Sequence, residues 1–567
     1  MNLTRKWSIV TAGALALSLV LSACGKSTTT PTPTPAPGTV APADTGKPVD
    51  GGSLTWATAS DIVTLNPLFI DDTTSQNLAN ILFAGLLNLD TKGNVVADEG
   101  ALAAEVPTIS ADGLTYTIKL KTTPKWSDGQ PVNADDLVFT LNTWKNPDVA
   151  APSISSYDKV DTVKKINDTT VEVKMKEVYA PFIYTLTTAV LPAHILKDVP
   201  PKDLQKYKYG TDPATFVSNG PYKWASWTQK QQHTLEADPN YWGPKAHIKT
   251  IVYKMYADQN TELQALVKGE VDLVEAIPIA SLDAATGKPD INLIESAGPS
   301  YDYFGFNLNA DNWPGGFVPF AGKKTRQALA YAINRQGMVD SVLKKHGTLL
   351  NGPFLPGSWA DAGTAKNYEF SVDKAKALLA EDGWKAGADG ILVKDGHKFE
   401  FKLQFNTGNK TRESVGAVIQ QNLKDIGINV ILEPLDFAAW IKNNVTPGKY
   451  QSVLLGWALG VDPDAESIFS SKYFPPSGQN SGWYKNDKTD QFWVDGYRVT
   501  DPAKRKAVYG QLATEITDDL PYVFLYQKNI IEGIRSRVKF AEGDKPQLTL
   551  PYGTTYHIDH WWVTDGK

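Results

Sequence analysis

Two rhythms of apolar residues alternate along this chain. Short runs with period two predict strands at 53–59, 114–120, 170–175, 271–274 and 428–432; in the second of these Leu114, Tyr116, Ile118 and Leu120 share one face. Between them, apolar residues recur every three or four positions and predict helices at 76–87, 260–267, 374–380 and 411–426. A further helix starts at Asn133, whose side chain suits an N-cap, and carries Leu137, Val138, Leu141 and Trp144 on one face. Punctuation agrees with these assignments. Ser371 caps one helix, while Gly269, Gly383 and Gly427 stop others, and Asp128-Gly129 makes a tight turn inside the connector 124–131. Helices interleaved with short strands predict mixed α/β lobes, and the absence of a 20–50-residue repeat argues against a solenoid or propeller.

Residues 25–50 break both rhythms. They are Ser, Thr, Pro, Gly and Ala with hardly a large apolar side chain, so this stretch is expected to be an extended spacer without a core. Ahead of it stand Arg5 and Lys6, an uncharged stretch from Trp7 to Val20, and then Leu21-Ser22-Ala23-Cys24. This order reads as a signal peptide over 1–23, too short for a comfortable membrane span of about 20 apolar residues. Leu-Ser-Ala-Cys resembles the bacterial lipobox. Cys24, the only cysteine in 567 residues, is thus expected to carry a diacylglyceryl group as the first mature residue, followed by a tether over 24–50.

Cleavage before Cys24 would remove Arg5, Lys6 and no acid, leaving 544 of the 567 residues with 54 basic against 62 acidic groups, a charge of −8. Mild acidity without basic clusters excludes nucleic acid as the partner. A body of this length exceeds one core and predicts two or three lobes, and with its one thiol lipidated it has no disulfide to rely on.

Catalytic signatures are missing. The chain has neither His-Glu-x-x-His nor Gly-x-Ser-x-Gly, and Gly25-Lys26-Ser27 lacks the glycine a phosphate loop needs, because that position is Val20. Of seven histidines only His557-x-x-His560 is close-set; a metal there would need further ligands, and Asp559 would point away if the segment were a strand. Packing or surface histidines are the favoured reading, with no metal or cofactor expected. The 16 tryptophans are read as core anchors, although they keep a sugar ligand open.

At Lys125-Trp126-Ser127-Asp128-Gly129-Gln130-Pro131-Val132-Asn133-Ala134-Asp135-Asp136 the chain resembles the family 5 extracellular solute-binding proteins, the peptide- and nickel-binding components of ABC importers. Leu65-Asn66-Pro67, Leu82-Phe83-Ala84-Gly85-Leu86-Leu87, Asn219-Gly220-Pro221-Tyr222, Asn240-Tyr241-Trp242-Gly243 and the run from Arg326 to Arg335 look like further landmarks in the family order. Several have a structural account as turns, corners and caps, so they are expected to hold the fold and not the ligand. The resemblance implies a type II periplasmic-binding-protein-like α/β fold of two lobes that close by hinge motion. It further implies three domains: domain I from 51–90, 213–308 and 534–567, domain II over 91–212, and domain III over 309–533.

The same resemblance suggests ligand-binding positions: Thr74, Ser75, Glu275, Tyr301, Tyr303, Asn406, Phe437, Trp457, Ala458, Gly460 and Asp462. In the family's cleft segment a Trp lies in the cleft, the following backbone pairs with a peptide, and an Asp frequently holds the ligand's α-ammonium. Here Gly460 or Val461 falls where that Asp would be, so either Asp462 takes over, another acid does, or a free N-terminus is not required. The resemblance thereby implies a non-enzymatic, monomeric receptor that passes extended oligopeptides to ABC permease subunits. A lipid on Cys24 would hold it at the extracytoplasmic membrane face, with a Gram-positive-type outer surface favoured over a periplasm. Oligosaccharide, nickel chelate, heme and opine stay open as ligands, and a surface glycan or peptidoglycan hydrolase or an adhesin stands as the reading from another class.

Overall fold

The computed structural model describes residues 46–58, 60–70, 72–151, 157–256, 258–475, 478–546 and 553–564. The signal segment, Cys24 and the tether as far as residue 45 lie outside them. Among the described residues no helix is long and apolar enough to cross a membrane.

Local signals in the sequence set most element ends. Strands form at Ser53–Thr58, Thr115–Lys119 and Thr170–Met175, and helices at Ala134–Trp144, Gln259–Lys268, Val372–Glu381 and Lys410–Lys424. Asn133 and Asp136 make a reciprocal capping box: Asp135 N–H donates to Asn133 Oδ1 (2.8 Å) and Asn133 N–H to Asp136 Oδ2 (3.0 Å). The buried Asp136 also accepts from Trp126 Nε1 and from Ala193 N–H, so one carboxylate ties three segments together.

One expectation is corrected. The helix expected over 76–87 is Thr73–Leu82. Its end is imposed from far along the chain, because Gly220 N–H donates to the Leu82 carbonyl (2.8 Å) and Asn219 Oδ1 accepts from Ala84 N–H (3.0 Å). A Cβ on Gly220 would lie 2.6 Å from the Ile81 carbonyl oxygen, so only glycine allows this approach.

Eleven strands form one large mixed sheet. Ten lie along it in the order 429–435, 400–406, 452–458, 291–306, 522–535, 273–274, 53–58, 250–255, 232–237, 222–228, and strand 347–349 attaches to 522–535. A separate four-stranded antiparallel sheet joins 108–109, 115–119, 170–175 and 160–167. The two longest strands, Ile291–Phe306 and Tyr522–Arg535, pair antiparallel in the middle of the large sheet and are shared by both its halves. Residues 291–297 pair with 529–535 on the side of strand 273–274, whereas 301–305 pair with 522–527 on the side of strand 452–458.

The cores follow the same division. One contains Leu54, Trp56, Tyr116, Val171, Tyr222 and Tyr253 together with Ile534, Val538, Trp561 and Val563, so the last described segment returns to the first. Two others are built from residues between Tyr301 and Tyr526. In the latter half the Arg326–Arg335 run is structural. Arg326 donates to the Phe320, Ala321 and Asp519 carbonyls, and Arg335 to those of Leu350, Phe524 and Tyr368 at 2.8–2.9 Å.

Arg335→Ala would strip three buried carbonyl oxygens of their donor, with an expected cost of about 3–5 kcal/mol. A lowered urea midpoint would register it. A loss below about 1 kcal/mol would mean that water replaces the guanidinium and that Arg335 does not hold these loops.

Candidate functional site

Strand directions bring the site together. Strands 400–406, 429–435 and 452–458 are mutually parallel, so Asn406, Phe437 and the Trp457–Gly460 segment gather at their carboxyl ends. Strand 452–458 runs antiparallel to 291–306 and ends opposite Ser300, with Leu459 N–H donating to the Pro299 carbonyl. In the other half, strands 53–58, 250–255 and 273–274 are also parallel, and 273–274 runs toward Ile531, whose carbonyl accepts from Ile277 N–H. Both sets of carboxyl ends therefore point at the middle of the long central strands, from opposite sides. In open α/β sheets this is where ligands are received.

The midpoint is irregular. Register shifts fall between Ala297 and Tyr301 and between Asp302 and Tyr303. Gln527 Nε2 donates to the Gly298 carbonyl (2.6 Å), filling the place of a missing ladder bond, and a Cβ on Gly298 would lie 2.6 Å from the Lys528 carbonyl oxygen. Next to it stands a buried ionic group. Asp302 Oδ1 pairs with Arg412 Nη2 (3.2 Å), and its Oδ2 lies 3.5 Å from Lys528 Nζ and accepts from the Tyr526 hydroxyl (3.3 Å). Arg412 also donates to Asn406 Oδ1 at 2.9 Å. Gly456 makes room for this group, since a Cβ there would overlap the Asp302 carboxylate and sit 2.7 Å from the Tyr301 carbonyl oxygen.

The expected ligand positions divide into accessible and built-in residues. Ala458 and Gly460 are exposed, Trp457 and Asn406 are half-buried, and Phe437 is 52 % exposed. Beyond Val453 the edge of strand 452–458 away from 291–306 pairs with no strand among the described residues. Tyr301 and Tyr303, by contrast, are fully buried and pack within the fold. Strand alternation turns both rings into the core, where Tyr303 stacks between Trp457 (6.3 Å between centroids) and Tyr522 (4.0 Å). Thr74 and Ser75 are likewise engaged in the fold: the Thr74 and Ser60 hydroxyls lie 2.7 Å apart, and Ser75 Oγ accepts from Val63 N–H. Glu275 accepts from Asn77 Nδ2 (2.7 Å), and burial pushes its carboxyl up; the same acid helps hold Glu262, itself buried, at about 7.

Asp462 is engaged within the fold. Both its oxygens accept from Arg505, Oδ1 at 2.8 Å from Nη2 and Oδ2 from Nη1, in a bidentate pair. Arg505 is fixed in turn by the Gly496 carbonyl, the Tyr509 hydroxyl and the face of Trp359. That leaves Asp462 as the clamp of its turn and not as a free acceptor for an ammonium. Asp464 differs. One oxygen accepts from Glu466 N–H, no cation pairs with it among the described residues, and burial together with the Asp462 charge raises its carboxyl to about 7. Facing this turn is the 177–184 segment: Ala180 N–H donates to the Tyr497 carbonyl (2.6 Å), Arg498 pairs with Glu177 (3.1 Å), and the field of Asp464 and Asp462 adds to the burial that raises the Tyr179 phenol.

Asp302, Arg412, Lys528, Arg505 and Asp464 were not singled out as functional from sequence. Asp464 left a trace as the second acid of the Asp462-Pro463-Asp464 turn, and Asp302 as the lone acid in the apolar run Tyr301-Asp302-Tyr303-Phe304.

Comparison with known proteins supplies a context. The family described as "Bacterial extracellular solute-binding proteins, family 5 Middle" matches residues 99–480. The oligopeptide-binding protein AppA of Bacillus subtilis is 31 % identical over 567 residues, covering 99 % of each chain. A solved structure of AppA in complex with a nonapeptide superposes with a TM-score of 0.74 at 32 % identity, over 92 % of this chain and all of that one. NikZ of Campylobacter jejuni, solved with Ni(L-His), shares the fold with a TM-score of 0.75 at 24 % identity, over 90 % of this chain and 99 % of that one.

The raised carboxyl of Asp464 has a pH signature. An acid whose folded-state pKa of about 7 exceeds its ordinary 3.8 stabilises the fold while protonated and loses that contribution as pH rises between those values. Asp464→Asn, which does not ionise, is therefore expected to gain stability relative to the unsubstituted protein from about pH 5 to about pH 8. Urea midpoints of both ligand-free proteins at the two pH values test this. A pH-independent difference would show that Asp464 is already ionised in the fold near pH 5.

Proposed function

The chain belongs to the bacterial extracellular solute-binding proteins of family 5, and from that membership we propose that it captures extended oligopeptides between the halves of its large sheet and delivers them to an ABC permease. The observation carrying this reading is the edge of strand 452–458 beyond Val453, which pairs with no strand among the described residues and is set where two groups of strand carboxyl ends converge. An extended peptide added to that edge would gain main-chain hydrogen bonds that are independent of its sequence, while Trp457, Phe437 and Asn406 would line the space for its side chains. The relatedness to an oligopeptide-binding protein over nearly the whole chain supports the same ligand class.

We assign the ligand's α-ammonium to Asp464, because Asp462 is consumed by Arg505. Capture would exchange the proton on Asp464 for the ammonium, converting a neutral, half-buried acid into an ion pair. The three-domain division, with domain I assembled from 51–90, 213–308 and 534–567, domain II over 91–212 and domain III over 309–533, is part of the same proposal. The joining of its first and last segments is supported by the core that unites Leu54 with Trp561, which also takes in Tyr116 and Val171 of domain II. Hinge motion would then be taken up where the central strands lose register, between Ala297 and Tyr303. Binding without turnover is the activity this arrangement suits.

Native mass spectrometry of freshly purified protein is expected to find peptide retained in the cleft. N-acetylating that peptide should weaken its binding by about tenfold or more, an effect lost in Asp464→Asn. A retained metal chelate or sugar would overturn the peptide assignment, and equal affinity for free and acetylated peptide would remove Asp464 from the site.

The anchor belongs to the proposal as well: Cys24 would carry the lipid that keeps the receptor beside its permease, and the tether would set its reach. Cys24→Ala is expected to leave the protein unlipidated and released from the membrane fraction. Normal retention would refute lipid attachment at this residue.

A further inference from the structure

At the far end of the chain, the close-set histidines acquire a third partner. Residues 558–560 form a 3-10 turn and not a strand, and His557, ahead of it, takes left-handed backbone angles (φ 46°, ψ 39°). The turn lays the two imidazoles over one another, with ring centroids 4.9 Å apart and planes 25° from parallel. Asp544 reaches the same point from another segment, its Oδ2 lying 3.2 Å from His560 Nδ1. One ligand atom from each of Asp544, His557 and His560 falls within 4.8 Å of the others, and all three residues are half-buried.

We propose that Asp544, His557 and His560 form a transition-metal site of the zinc class, separate from the residues assigned to solute capture. Two imidazole nitrogens and one carboxylate oxygen are a borderline donor set that suits Zn²⁺ and disfavours Ca²⁺ or Mg²⁺. For metal–ligand distances of about 2.0–2.1 Å, neighbouring corners of a tetrahedron lie about 3.3 Å apart, which is the observed spacing of Asp544 and His560. A metal lies in the plane of each imidazole that binds it, so the His557 ring would turn out of its stack on His560 to supply the third corner, and water would complete the set.

A second observation supports the assignment. With Nδ1 of His560 directed at the site, its Nε2 faces Glu99 Oε1 at 3.6 Å and Asp559 Oδ2 at 3.7 Å. A ligating imidazole whose other nitrogen is turned to carboxylates is oriented and made more basic by them. The two histidines line a cavity of about 80 Å³ shared with Asp98, Glu99 and Tyr241, which offers an entry path. The competing account is a simple His560–Asp544 ion pair, which would not involve His557 and would not bind metal.

Zn²⁺ itself is the probe, titrated calorimetrically into full-length protein stripped with chelator. One saturable equivalent is expected, accompanied by a rise in melting temperature with free Zn²⁺. His557→Gln, which leaves the His560–Asp544 pair in place, should weaken binding at least about tenfold, and His557→Gln/His560→Gln should abolish it. His346→Gln, at a histidine paired with Glu295, should bind as the unsubstituted protein does. Absence of saturable uptake, or an affinity unchanged in the His557 variant, overturns the site. A metal-free melting temperature for each variant separates a lost ligand from a lost fold.

Discussion

Two long strands hold the halves of the large sheet together. Ile291–Phe306 and Tyr522–Arg535 pair with each other along most of their length, but each half of the pair also belongs to a different half of the sheet. A ladder of main-chain hydrogen bonds resists being pulled apart and tolerates local twist, so the two halves stay in register while their relative angle can change. The place where the ladder yields is built in: Gly298 admits a backbone approach no other residue would, and Gln527 supplies a side-chain donor to its carbonyl. Without that substitution a buried carbonyl would be orphaned at the bend.

The same pair of strands explains why the site is where it is. Parallel strands on either side run toward the bend and stop there, so loops from both halves are delivered to the same stretch of the central strands. Gly456 and Asp302 then show how tightly the floor of the gap is packed. The missing side chain at 456 is what lets a buried carboxylate meet Arg412 and Lys528 beside the strand edge. Above them, the Trp457–Tyr303–Tyr522 stack gives the exposed end of strand 452–458 a rigid backing.

Local elements were largely legible in the sequence because their causes are local. The alternation of 115–119, the cap at Asn133 and the left-handed glycines at 269 and 427 each act within a few residues. The long strand 291–306 was not read, since Gly298-Pro299-Ser300 interrupts its alternation and only pairing with 522–535 makes it continuous. Likewise the helix ending at Leu82 stops because of Asn219 and Gly220, and the Asn219 contact spans 135 positions of sequence. Among the candidate site residues, those at carboxyl ends of strands stand beside the gap. Tyr301 and Tyr303, inside a strand, were turned inward by its pleat. Arg505 was invisible because nothing near it in sequence announces that it will neutralise Asp462.

Charge compensation links these details. A gap that must exist without ligand is destabilised by any unbalanced buried charge, and each acid here is balanced differently. Asp302 has Arg412, Lys528 and the Tyr526 hydroxyl. Asp462 has Arg505 at both oxygens. Among the described residues Asp464 has a backbone N–H and no paired cation, and burial together with the Asp462 charge raises its carboxyl to about 7. A proton is the one counter-charge that leaves without moving a side chain. An acid neutralised in this way can accept an incoming cation at little reorganisation cost, whereas an acid already paired to an arginine would first have to break a bidentate bond. The arrangement therefore separates the acid that fixes the turn from the acid proposed to meet the ligand.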